Sequence, residues 1–111
     1  MNADPSSVNV DHSYQRDLDP DKVDSLANEP AAHLQSRVLL AARRDDESLW
    51  VIDGQHHTAA AVARNVPSMT YQVFESTGPD MEAEVYDAWQ TWDKSSRLDL
   101  VKKTRADLAG V

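Results

Sequence analysis

LWVIDGQHHTAAAVAR, residues 49–64, contains the clearest structural pattern in the chain. Its first five residues are mostly apolar or β-branched, which predicts a buried strand. Gly54 then interrupts the run, and the alanine-rich residues that follow have high helix propensity. The pattern therefore predicts a strand, a glycine turn and a helix from about Gln55 to Arg64.

The start of this helix is a candidate anion site. The first backbone N–H groups of a helix have no partner within it, and the helix dipole makes that end partly positive. Gly54 has no Cβ, so a ligand could approach the backbone closely. A phosphate or carboxylate at this turn is one interpretation. The other is a turn that binds nothing, with Asp53 capping the helix.

VIDGQHHTAAA at residues 51–61 resembles the V-I-D-G-Q-H-R-x-x-A-A signature of the ParB/sulfiredoxin-like superfamily. The resemblance is greatest to the small ParB-like ("ParB-like nuclease") proteins of bacteriophages and actinobacteria. YQR at residues 14–16, followed by LDPDKVDSLA at 18–27, is similar to the opening box of that family. NVPSMTYQVF at residues 65–74 is similar to the strand that follows its signature helix. The resemblance covers about residues 14–90.

The resemblance implies an α/β (α+β) fold, in which a small mixed β-sheet is packed by helices that include a C-terminal helical pair. It also implies a nucleotide site, which holds CTP in ParB proteins and ATP in sulfiredoxins, with magnesium as an accompanying ion. The residues carried over to phosphate binding are Gly54, Gln55, His56, His57 and Thr58, with Arg16 nearby.

Two departures from the family pattern bear on this site. His57 stands where the family usually has arginine, and a neutral imidazole lacks the planar, permanently charged fork that binds phosphate. A sulfiredoxin needs a cysteine in this turn, and the sequence contains none. Sulfiredoxin chemistry is therefore excluded.

The composition limits the classes of protein that fit. A chain of 111 residues predicts one domain, too short to add a helix-turn-helix region of the kind that ParB proteins use on DNA. The net charge of −8 argues against a broad nucleic-acid surface. We expect no membrane span and no signal peptide, and the absence of cysteine suits a cytoplasmic location.

The rest of the chain is predicted as follows. Residues 1–13 form a flexible arm, residues 14–92 the ParB/sulfiredoxin-like domain, and residues 93–111 a C-terminal helix packed on it. Asp19 and Pro20 begin a helix that ends near Asn28. Predicted next, in chain order, are a connector at 30–36, strands at 37–44, 49–53 and 69–75, and a helix beginning at 76–80.

Several side chains admit two interpretations. Arg16 lies near the ligand or forms an ion pair that supports the pocket, and the ion pair is slightly favoured. Arg43 and Arg44 beside three acids indicate a solvated hairpin tip rather than a nucleic-acid contact. Trp89 and Trp92 are predicted to lie in the core, with a partner surface as the minor alternative.

The histidines could also bind a metal ion or act in catalysis. Adjacent helical residues point about 100° apart, so His56 and His57 do not favour a shared metal ion, and no metal site is predicted. His56 could act as a general base oriented by Asp53, the only catalytic candidates in the sequence. No nucleophile is recognisable.

The leading function is therefore a small ParB-like protein that binds a nucleotide or other phosphate-bearing ligand. It would act as a regulatory or DNA-transaction accessory factor of phage or mobile-element origin. One alternative is an interaction protein whose nucleotide site is degenerate and which binds a host or phage protein through its acidic surface or its Trp-bearing helices. The other is a nuclease. A homodimer is compatible with either.

Overall fold

The computed structural model describes residues 1–91, so the predicted C-terminal helix and Trp92 lie outside the described residues. These residues form five strands, four α-helices and one 3₁₀ helix. In chain order they are β1 (Asn2–Ala3), the 3₁₀ helix (Pro5–Ser7), β2 (Val8–Asn9), α1 (Pro20–Ala27), α2 (Ala31–Gln35), β3 (Val38–Arg43), β4 (Leu49–Asp53), α3 (Gln55–Ala63), β5 (Met69–Glu75) and α4 (Pro79–Thr91).

The strands form one mixed sheet in the order β1-β5-β3-β4-β2. β3 and β4 are the predicted antiparallel hairpin, and β3 also pairs in parallel with β5. The strand, glycine turn and helix predicted from residues 49–64 are confirmed as β4, Gly54 and α3. The predicted small mixed sheet with packed helices is confirmed as well.

The first ten residues do not form the expected flexible arm. Asn2 and Ala3 pair antiparallel with β5, while Val8 and Asn9 pair in parallel with β4 at the opposite edge of the sheet. Val8 and Pro5 are buried, and the 3₁₀ helix between the two strands packs on α3. Strands of two residues are too short to produce an alternating pattern, so they could not be predicted from periodicity.

Helices cover both faces of the sheet. One face carries α1, α2 and α3 over a core that includes Leu34, Val51 and Tyr71. The other carries α4, and its core includes Ile52, Phe74, Tyr86 and Trp89, with Trp50 packed against it. The core position predicted for Trp89 is therefore confirmed. Within residues 1–91, none of the helices has the length and apolar character that a bilayer span requires.

The two helices before β3 differ in how well they were predicted. Asp19 caps α1 as expected, because its side chain accepts hydrogen bonds from the backbone N–H groups of Asp21 and Lys22 at 3.0 and 3.4 Å. Residues 30–36 were predicted to be a connector, but α2 forms there and buries Leu34 completely. A helix of five residues is too short to show a helical period.

A buried carboxylate joins α4 to the sheet. Glu82 is fully buried, and its two oxygens accept hydrogen bonds from Tyr14, Arg44 and Ser76. The Arg44 guanidinium binds it through Nε at 2.9 Å and Nη2 at 2.8 Å, and Nη2 also pairs with Asp11 at 2.7 Å. We call Tyr14, Arg44, Ser76 and Glu82 the Glu82 cluster.

The prediction of a solvated hairpin tip was therefore wrong for Arg44, whose Cζ also lies 3.8 Å from the ring centroid of Trp50. It holds for Arg43, which pairs with Glu75 where both side chains are more than 40% exposed. The sequence could not show that an acid 38 residues away would be buried beside Arg44.

Glu82 remains ionised in this setting. Burial raises the pKa of its carboxyl group, but the hydrogen bonds from Arg44, Ser76 and Tyr14 outweigh burial and lower the pKa below its ordinary value of 4.5. A lowered folded-state pKa stabilises the fold above the unfolded pKa, and this contribution is lost as the pH falls through the folded value.

Replacing Arg44 by methionine tests this cluster. Arg44→Met leaves a buried, unpaired carboxylate, and we expect a loss of about 3 kcal/mol in the free energy of unfolding at neutral pH, measured by urea denaturation. The matched variant Arg43→Met breaks an exposed ion pair and should cost at most about 1 kcal/mol.

Equal losses for the two variants would contradict the structural role of the cluster. A further check is the pH dependence. Without Arg44, burial should raise the pKa of Glu82, so the deficit of Arg44→Met should shrink as the pH falls and the carboxyl group becomes neutral.

Candidate functional site

A cleft of about 260 Å³ opens at the end of the sheet where β4 ends and β3 begins. Its walls come from both sides of the sheet, with α1 and the start of α3 on one side and α4 on the other. The residues that line it are Gln15, Arg16, Lys22, Arg37, Val38, Leu39, Ile52, Asp53, Gly54, Gln55, His56, His57, Tyr86 and Gln90.

The cleft contains five of the six residues that the sequence assigned to phosphate binding: Arg16, Gly54, Gln55, His56 and His57. Asp53, the catalytic candidate, lines it as well. Thr58 does not line it. Its side chain is buried, and its Oγ1 lies 2.8 Å from the hydroxyl of Tyr71 on the core side of α3. One turn into the helix, Thr58 points back toward the sheet, so its hydroxyl supports the core.

The start of α3 presents free backbone donors to this cleft. Gly54 is the N-cap in the left-handed region with φ of +104°, and no side chain among residues 1–91 caps the helix there. The interpretation of Asp53 as the cap was therefore wrong. The first backbone bond within the helix runs from the Thr58 N–H to the Gly54 carbonyl at 2.8 Å. The N–H groups of residues 55–57 consequently have no acceptor within the helix.

Gln55 adds a buried polar group at the same point. The residue is 8% exposed, and it lines the cleft. A side-chain amide at the wall of a cleft can donate hydrogen bonds to a ligand that enters the cleft.

The lining is locally positive although the whole chain is acidic. Three cations, Arg16, Lys22 and Arg37, line the cleft together with one carboxylate, Asp53. Lys22 and Arg37 were not among the site residues predicted from the sequence. Lys22 lies in the first turn of the correctly predicted helix α1, and Arg37 immediately precedes β3. Only the folded chain shows that both positions reach the start of α3.

His56 ties α1 to α3. Its Nε2 accepts a hydrogen bond of 3.0 Å from the backbone N–H of Asp19, the residue that caps α1. Burial and the nearby Lys22 lower the pKa of His56, while Asp19 opposes them. Because the Nε2 lone pair is engaged, this nitrogen is not available as a general base while α1 stays in place.

His57 is a partly buried imidazole between charges of both signs. Burial lowers its pKa, Arg37 lowers it further, and Asp53 acts in the opposite direction. The ring is therefore neutral at pH 7, and the local positive charge comes from Lys22 and the two arginines instead. Asp53 thus acts electrostatically on His57, rather than on His56 as the orienting-pair hypothesis required.

Arg16 is held at the cleft through its neighbours. Gln15 is buried, and its Nε2 donates to the carbonyls of Val51 and Ile52 at 2.8 and 3.0 Å. Tyr14 donates to Glu82 at 2.8 Å. Arg16 lines the cleft and takes part in none of the ion pairs among residues 1–91, so the slightly favoured ion-pair interpretation is not observed there.

The described residues contain no group of three or more histidine, cysteine, aspartate or glutamate side chains that could hold a metal ion. What the cleft offers is a helix start, the side-chain amide of Gln55 and three cations. In chemical terms these are donors for the oxygens of an anion.

The mixed sheet with a glycine-initiated helix at its end defines a ParB-like fold. The chromosome-partitioning protein ParB from Caulobacter crescentus, C-terminally truncated and complexed with CTP-gamma-S, superposes with a TM-score of 0.63 at 13% identity over 84% of this chain. The same protein complexed to the centromeric parS site gives a TM-score of 0.55 at 11% identity over 93% of this chain.

The chain spans about half the length of these ParB chains, 54% and 55% respectively. No family model matches the sequence, and no curated protein matches it either. The resemblance read from residues 14–90 is therefore confirmed at the level of the ParB-like fold.

Gly54 is required by the fold itself. A Cβ at this position would lie 2.6 Å from Cδ2 of Leu39, in addition to the strain of a positive φ. Gly78 also has a positive φ, of +142°, but a Cβ there would meet nothing within 4 Å. Substitution of Gly78 would therefore introduce backbone strain alone, whereas substitution of Gly54 would introduce both strain and steric overlap.

We expect Gly78→Ala to lower the free energy of unfolding by about 1 kcal/mol, through strain alone. Gly54→Ala should cost about 1–3 kcal/mol more, because the added methyl group overpacks against Leu39. Urea denaturation of the two variants measures both quantities. Equal losses would show that Leu39 gives way and that the close packing is not a constraint.

Proposed function

We propose that this protein is a ParB-like nucleotide-binding protein, with the ligand phosphates at the start of α3. The observation that supports this most directly is the convergence of Arg16, Lys22, Arg37 and the uncapped α3 start on one cleft, in a chain whose net charge is −8. Positive charge at a helix N-terminus attracts phosphate.

Each group has a role in the proposal. The N–H groups of residues 55–57 and the Gln55 amide donate to phosphate oxygens. Arg37 and Lys22 supply the charge that His57, in place of the family arginine, does not. CTP is the first candidate nucleotide, since the ParB neighbour is complexed with CTP-gamma-S, and ATP is the second. Magnesium would arrive with the phosphates and be held by them and by Asp53.

The wider role is also a proposal. It is a nucleotide-dependent regulatory or accessory function in DNA transactions, in a protein of phage or mobile-element origin. DNA binding itself is not part of the proposal, although a ParB neighbour is complexed to parS, because the acidic chain disfavours phosphate-backbone contacts. A nuclease that uses His56 is set aside, because its Nε2 is already hydrogen-bonded.

Binding can be measured by isothermal titration calorimetry with CTP, ATP and inorganic phosphate, each with and without Mg²⁺. Arg37→Gln removes one cleft cation, and we expect it to weaken nucleotide binding about tenfold or more. Arg43→Gln makes the same change in net charge outside the cleft and should leave affinity within about twofold.

Equal weakening by the two variants would mean that only the overall charge matters, and the cleft would not be the site. If none of the three ligands produces a heat of binding at millimolar concentration, the proposal is overturned. These variants are better probes than a substitution of Gly54, because that residue is needed for folding.

The identity of residue 57 predicts a pH dependence. An anion at the α3 start raises the pKa of the neutral His57, so proton uptake accompanies binding and affinity should increase as the pH falls from about 7.5 to about 5.5. Sulfate is a suitable probe, since its charge is constant over this range.

The variant His57→Arg carries a permanent charge. It should bind sulfate several-fold more tightly than the unmodified protein near pH 7.5 and should show a smaller change in affinity with pH. An unchanged pH profile in this variant would show that His57 does not face the anion.

A further inference from the structure

We infer that Glu82 is a positioning residue that holds the walls of the cleft in place for the ligand. This inference rests on the proposed function. It lies outside the cleft lining, yet its carboxylate connects the two segments that form the cleft walls on the α4 side. One wall is α4 itself, through Tyr86 and Gln90. The other is the segment formed by Gln15 and Arg16.

The first connection follows from helical spacing. Glu82, Tyr86 and Gln90 are four and eight residues apart, so they share one face of α4. Fixing the carboxylate at the buried end of this face sets the rotation of the helix about its axis. That rotation determines whether Tyr86 and Gln90 reach the cleft.

The second connection runs through Tyr14. Its hydroxyl donates to Glu82 at 2.8 Å, and its ring lies 5.8 Å from the ring of Tyr86, centroid to centroid. The next two residues are Gln15, bonded to the β4 carbonyls, and Arg16, which lines the cleft. A carboxylate held by Tyr14 therefore fixes Arg16 and the α4 wall relative to each other.

The remaining donors set the position of the carboxylate on the sheet. Arg44 extends from the end of β3, and Ser76 follows β5. Neither side chain belongs to a cleft wall. The four hydrogen bonds to Glu82 thus divide into one that leads to the cleft and three that anchor the carboxylate.

Two single-atom deletions separate positioning from stability. Tyr14→Phe removes the bond that leads to Arg16. Ser76→Ala removes an anchoring bond and also leaves the Gly78 N–H without its acceptor. Its effect on stability should therefore be at least as large. We expect Tyr14→Phe to weaken CTP or phosphate binding about tenfold and Ser76→Ala to change it less than about twofold.

The effect of Tyr14→Phe should disappear in an Arg16→Ala background, because it acts through Arg16. A purely structural role would produce additive effects instead. Additivity, or equal weakening by Tyr14→Phe and Ser76→Ala, would overturn the inference.

A second measurement needs no ligand. Amide chemical shifts of Arg16 and Gln90, measured by NMR on the full chain, should move in Tyr14→Phe and stay in place in Ser76→Ala. If the unmodified protein binds neither CTP nor phosphate, the proposed function fails, and these shifts still decide whether Glu82 positions the walls. Unchanged chemical shifts in Tyr14→Phe would overturn the inference that Glu82 positions the walls.

Discussion

The left-handed turn at Gly54 is the constraint on which the rest of the structure depends. It reverses the chain between β4 and α3 within one residue, at a point where the side chain of Leu39 leaves no room for a Cβ. Because the turn falls at the end of the central strands, the unpaired N–H groups of α3 meet residues from both faces of the sheet there. The cleft is a direct geometric consequence of this turn.

Two kinds of charged group serve different purposes around that turn. The cations of the cleft, Arg16, Lys22 and Arg37, are exposed and have no ion-pair partners within residues 1–91. Arg44 instead forms ion pairs with Glu82 and Asp11, which neutralise its charge inside the fold. The same residue type thus provides ligand binding at one position and internal cross-linking at another. Counting charged residues in the sequence cannot distinguish these two uses, because the distinction depends on where the Asp and Glu side chains lie in the folded chain.

Sequence patterns predicted the parts of the fold that are local. The strand, glycine turn and helix of residues 49–64, the Asp19 cap and the β3–β4 hairpin all follow from short-range rules, and they were correct. The two-residue edge strands and α2 were missed, because they are too short for a period to appear. Lys22 and Arg37 reach the cleft through tertiary packing, and Thr58 turned inward because of where it falls on α3. These features depend on contacts between distant segments.

The two short strands of the first nine residues have a further consequence for assembly of the sheet. They cover part of both outer edges, at β5 and at β4, where unpaired backbone groups would otherwise invite pairing with another chain. Their partners lie about 40 and 70 positions further along the chain, at Leu49 and Thr70. Closing such long loops is slow compared with forming the hairpin. Protection of these edges therefore depends on contacts between segments that are far apart in the chain, whereas the hairpin depends on local contacts alone.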